Sequence, residues 1–126
     1  MTAFSDAQIH VSKAREFLEA AEANWHLKLY NAATSDAVIS GINSKDAICL
    51  TLTGRTSKSD NHLDGVAELK RAGRAGAILS PTLNRLLKLK TKSQYTPISL
   101  AASDATRAIE WAQRMLSGAE DVVIGG

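Results

Sequence analysis

The sequence predicts an all-α fold, an up-and-down bundle of four to five helices. Hydrophobic residues make up 44% of the chain and aromatics only 5%, with many alanines, so the core should be built from aliphatic and small side chains at close helix contacts. Apolar residues recur at spacings of three and four in every long segment, the period of one helix face. Glycine and proline punctuate these segments where helices would stop or start. The 126 residues suffice for one domain with one core.

The first helix is expected from Ser5, where Ser5-Asp6-Ala7-Gln8 has the form of a capping box. Val11, Ala14, Leu18, Ala21 and Trp25 then form one stripe, and the helix runs to about His26. From Tyr30 to Thr53 the pattern stays helical, with Ala33, Ala37 and Gly41 on one ridge that lets another backbone approach closely. The poor helix formers Gly41-Ile42-Asn43-Ser44 predict a kink there, and Lys45-Asp46 reads as solvated helix charge. Gly54 supplies a stop. Asp60 or Asn61 can cap a third helix carrying Leu63, Val66, Ala67 and Leu69 to near Gly73. Ser80-Pro81 then reads as a cap with proline at the first helical position, opening a short helix over 81–90 that buries Leu83, Leu86 and Leu87. The last helix, over 99–117, buries Leu100, Ala105, Ala108, Ala112 and Leu116, with Trp111 and Met115 at its margin. Residues 119–126 end in two glycines and are expected to fray.

The net charge is only +2, yet 55–92 holds nine basic residues against Asp60, Asp64 and Glu68, a local +6 that leaves −4 for the remainder. Such a zone is either an ordinary solvated face or a surface for an anionic partner such as RNA. Cys49 is alone, in the apolar run AICL, which excludes an intrachain disulfide and suits the reduced cytoplasm. No apolar stretch approaches the roughly 18 residues of a membrane span, so no membrane partner is expected. His10 and His26 have no second ligand type at metal spacing, and neither a metal nor another cofactor is expected.

One constellation carries chemistry. The stretch 54–62 reads GRTSKSDNH, with Arg55 and His62 separated by six residues. An arginine that grips a phosphate and an imidazole that moves a proton near neutral pH suffice in principle to cleave RNA without a metal. His62 falls in the first turn of the third helix. There the helix dipole disfavours the imidazolium, while Asp60 and Asp64 favour it. Arg55 and His62 are the candidate catalytic residues, with Ser57, Lys58 and Asn61 as candidate substrate contacts. Spacing alone is weak evidence, because seven arginines and three histidines match by chance about as often as not.

Three stretches resemble the HEPN family (higher eukaryotes and prokaryotes nucleotide-binding domain). NAATSDAVISGINSKDAICL is similar to its second helix, GRTSKSDNHLDGVAEL to the segment bearing arginine, a spacer of four to six residues and histidine, and LLKLKTKSQYTPISLAASDATRAIEWAQRML to its C-terminal part. The resemblance implies a helical bundle that forms a two-fold homodimer with both arginine-histidine sets facing one cleft. It also implies a metal-independent endoribonuclease of toxin or phage-defence type, restrained in its host by a neutralising protein partner. Thr56 stands where active members often carry Asn, Asp or His. Asp64 stands where toxins paired with a nucleotidyltransferase antitoxin carry tyrosine, so that pairing is not expected. The alternative is a noncatalytic HEPN module, a dimeric adaptor that binds a nucleotide or a partner protein. A DNA-binding helical domain ranks last, for want of a recognition helix with base-reading side chains.

Overall fold

The computed structural model describes residues 2–57, 62–95 and 97–125, with the backbone alone at His62 and 93–95. Among the described residues the chain forms five helices and no strand: α1 (Ala3–His26), α2 (Tyr30–Thr53), α3 (His62–Arg71), α4 (Arg74–Tyr95) and α5 (Ala102–Gly125). This is the all-α bundle that composition and periodicity predict.

Helix α1 starts one turn earlier than expected. Thr2, not Ser5, is its cap: the Thr2 hydroxyl accepts the Ser5 N–H at 3.1 Å while Ser5 Oγ accepts the Thr2 N–H at 3.1 Å. Val11, Ala14, Leu18 and Ala21 are buried on the predicted stripe. Helix α2 crosses residues 41–44 without a break. Packing overrides propensity there, since a Cβ added to Gly41 would fall 2.5 Å from Leu86 Cδ1, and the Ser40 hydroxyl donates to the Ala14 carbonyl at 2.8 Å. Gly54 ends α2 in the left-handed conformation, φ 79°, donating its N–H to the Leu50 carbonyl.

The largest departure from the sequence reading is α4, which begins at Arg74 and carries Pro81 inside it. Proline has no N–H for the carbonyl four residues back, that of Ala77, and the Ser80 hydroxyl donates to that carbonyl instead, at 3.1 Å. The dipeptide read as a helix start is thus a repaired interior step. Leu83, Leu86 and Leu87 are buried as expected, whereas Leu63 is 73% exposed and α3 gives the core chiefly Leu69. Helix α5 runs to Gly125 where a frayed tail was expected from 119. Ala119 and Val123 are buried and Arg15 grips Glu120 at 2.7 Å, which gives the last two turns apolar and ionic anchorage. Met115 is fully buried, not marginal.

Side-chain pairs fix the directions of the four long helices. Ser40 with Ala14 and Asn24 with Asp36 run α2 antiparallel to α1. Leu86 against Gly41 and Leu52 against Gly73 run α4 antiparallel to α2. Arg15 with Glu120, Glu22 with Gln113 and Trp25 with Thr106 run α5 antiparallel to α1. One end of the bundle therefore gathers the start of α1, the end of α2, α3, the start of α4 and the end of α5.

Helix α3 folds back against α4 through Gly76, whose added Cβ would lie 2.1 Å from the Leu69 carbonyl oxygen, a contact with backbone that cannot move aside. Gly65, inside α3, has nothing within 4 Å of an added Cβ. Gly76→Ala should therefore lose about 1–3 kcal/mol of stability. Gly65→Ala should gain about 0.5–1 kcal/mol through helix propensity. Urea denaturation of the two variants checks both signs.

Candidate functional site

The segment joining α2 to α3 begins at this end of the bundle. Arg55 follows the Gly54 stop and is exposed, and its carbonyl lies 2.9 Å from the Thr53 hydroxyl. His62 is the first residue of α3. Lys58 and Asn61 lie outside the described residues, as does the His62 side chain. Asp64 sits in the first turn of α3, as the sequence predicts.

Beneath Arg55 lies a polar cluster that sequence reasoning missed. Lys45 and Asp46, read as solvated, are each only 4% exposed. The stretch around them packs on the other helices on all sides, and residues 44–50 are buried without interruption, so neither side chain can reach water. The charges are met internally. Lys45 Nζ pairs with Glu68 of α3 and donates to Asp46 Oδ1 at 3.2 Å, Thr56 Oγ1 at 3.0 Å and the Ser57 carbonyl at 3.2 Å. The Thr56 hydroxyl donates to Asp46 Oδ1 at 2.6 Å, and the Ser57 N–H donates to both Glu68 oxygens, at 2.9 and 3.0 Å. On the far side, His10 Nδ1 lies 2.8 Å from Asn43 Oδ1 and 3.9 Å from Asp46 Oδ2. The Asn43 amide nitrogen donates to the Ile39 carbonyl, which turns its oxygen toward His10, so His10 Nδ1 carries the proton. His10 is accordingly an inward partner of the cluster.

The signal available in the sequence was the position of Lys45-Asp46 within an otherwise small and apolar helix, where a charge requires a partner. One ammonium thus binds α2, the two residues after Arg55, and α3 six residues beyond His62. Thr56, the departure from the family pattern, is held by Asp46 and Lys45.

Burial alone would lower the Lys45 pKa, yet the Glu68 bond and the charge of Asp46 outweigh it and raise the pKa above its usual value. Burial likewise pushes the Glu68 carboxyl up, but hydrogen bonds from Lys45, the Ser57 amide and Thr56 together hold it below its usual value. Cys49, one turn beyond Lys45, has its thiol pushed up to about 12, by burial first and by Glu68 and Asp46 against the opposing Lys45, so it is an inert core residue.

Removing the ammonium leaves two carboxylates without their cation. Lys45→Met should cost about 3–5 kcal/mol at pH 7. A depressed Glu68 stabilises the fold above its unfolded pKa of 4.5, and that contribution is lost as pH falls through the folded value. The raised Lys45 stabilises below 10.5 and loses its contribution as pH rises through the folded value. The gap between wild type and Lys45→Met should therefore narrow below pH 4.5, as denaturation at pH 7 and pH 3.5 would reveal.

Among the described residues no helix is long and apolar enough to cross a membrane. No curated protein sequence matches the chain. The HEPN domain model matches residues 7–122, nearly the whole length and all five helices. With the bundle, the position of Arg55 after α2 and of His62 at the head of α3, the chain belongs to the HEPN domain family.

Proposed function

We propose that this HEPN protein is a metal-independent endoribonuclease that acts through Arg55 and His62 as a homodimer, in a toxin or phage-defence role. The observation that carries the reading is the clamp around Arg55. An exposed arginine follows a glycine stop, and the next two residues are tied to buried charges, so its backbone is preorganised. Such anchorage suits a phosphate ligand whose developing negative charge must be met in a fixed place.

In this mechanism the ribose 2′-oxygen attacks the adjacent phosphorus while its proton passes to an imidazole. The P–O5′ bond breaks, and the 5′-oxygen takes a proton from a second acid. The products are a 2′,3′-cyclic phosphate and a 5′-hydroxyl. Two copies facing one cleft supply two His62 imidazoles, one as base and one as acid. Lys58 and Asn61 would add phosphate contacts. A contact from Ser57 would come through its side chain, because its amide is given to Glu68. Exposed Phe4, Leu52, Leu63 and Ile124 all belong to the end of the bundle that bears Arg55, which supports pairing of two copies there. A cytoplasmic location accords with a lone buried thiol, and a neutralising protein partner would restrain the activity.

The second reading, a noncatalytic adaptor, draws on Thr56: its hydroxyl is committed to the internal cluster, so only Arg55 and His62 remain to perform chemistry. Incubation with total RNA in EDTA separates the two. Wild type should leave cyclic phosphate ends, and Arg55→Ala and His62→Ala should each lose cleavage by at least about a hundredfold with helicity and dimer mass unchanged. Equal cleavage by all three would exclude the pair, and no cleavage by wild type on several RNAs would favour the adaptor.

A further inference from the structure

Helix α4 contains no aspartate or glutamate in its 22 residues. Its exposed stripe, at alternating steps of four and three, passes through Arg74, Ile78, Pro81, Arg85 and Lys88. Cations in the last turn of a helix are explained by the dipole, which covers Lys92 but not Lys88, seven residues before the end. The dipole opposes Arg74, the first residue of the helix, and is indifferent to Arg85 and Lys88. Helix stability therefore does not account for the stripe.

The close passage of Gly76 over the Leu69 carbonyl brings the last turn of α3 onto the first turn of α4, so that exposed Lys70, Arg71 and Arg74 share one corner. Leu52 packs beside Gly73, which sets this corner next to the end of α2, three residues before Arg55. Among the described residues none of Lys70, Arg71, Arg74, Arg85 and Lys88 forms a salt bridge.

We propose that this corner and the α4 stripe form a track for the phosphate backbone of single-stranded RNA leaving the Arg55 site. The inference rests on the nuclease reading and adds to it where the rest of the substrate lies. From Arg74 to Lys88 the helix rises about 21 Å, room for several nucleotides. The stripe is one side chain wide, which matches a single backbone better than the two of a duplex. Among the described residues it presents no aromatic surface for stacking, so recognition along it is electrostatic and independent of sequence.

The test is anisotropy of a labelled 20-nucleotide RNA bearing 2′-O-methyl groups, which cannot be cleaved, at several salt concentrations. It compares wild type with the triple variant Arg74→Gln/Arg85→Gln/Lys88→Gln. Three lost phosphate contacts should flatten the slope of log K against log salt by about 2 and weaken binding on the order of a hundredfold at 0.1 M salt. Circular dichroism should be unchanged, since all three side chains are exposed. Wild-type binding with the same slope and affinity in the variant would overturn the track and leave the nuclease reading standing. The expected change in slope with no cleavage of ordinary RNA by wild type would keep the track and overturn the nuclease. Tighter binding of a duplex of the same sequence would overturn the single-strand assignment, and no wild-type binding at low salt would overturn both.

Discussion

The Lys45 ammonium is the interaction on which the rest of this end of the molecule depends. It is a buried cation with four oxygen neighbours drawn from α2, α3 and the residues after Arg55. Replacing the whole set of buried charges by well-packed apolar side chains would cost little, because desolvation offsets most of the attraction, whereas removing the ammonium alone strands its carboxylates. Its contribution is specificity of arrangement. An apolar residue at position 45 could fill the space but would leave the Thr56 hydroxyl, the Ser57 carbonyl and Glu68 without a common partner.

That arrangement joins fold to function. Four long helices provide a frame whose directions are set by paired side chains such as Ser40 with the Ala14 carbonyl and Arg15 with Glu120. Helix α3 is short and is pressed onto α4 by the Gly76 contact, and its Glu68 reaches back to the cluster. The proposed catalytic residues then stand on opposite sides of one anchored junction: Arg55 just beyond the α2 stop and His62 at the head of the helix that carries Glu68. The basic corner at the α3–α4 turn is a product of the same compact fold.

The bundle was legible because its signals are local and repeated. Small and aliphatic residues at helical spacing predicted α1 and α2 almost to their ends, and the Gly54 stop needed only a residue tolerant of positive φ. Pro81 misled because its repair by Ser80 looks in sequence like a cap followed by proline, and the two cases differ only in what precedes them. The end of α5 was lost for a similar reason: its glycines suggest fraying, while the burial of Ala119 and Val123 comes from tertiary packing. Arg55 and His62 stand out as candidates by residue type and by their place between the second and third helices. The clamp around them does not, because Glu68 reaches Lys45 across 23 positions of chain and only the fold brings them together.

Amide hydrogen exchange at Ser57 measures most directly whether buried charge fixes the backbone beside Arg55. Ser57 lies outside any helix, so an unrestrained chain would exchange there at close to the intrinsic rate. The clamp predicts slow exchange, with protection close to that of the α3 amides, because the Ser57 N–H is held by both Glu68 oxygens. Exchange at the intrinsic rate in the folded protein would contradict it.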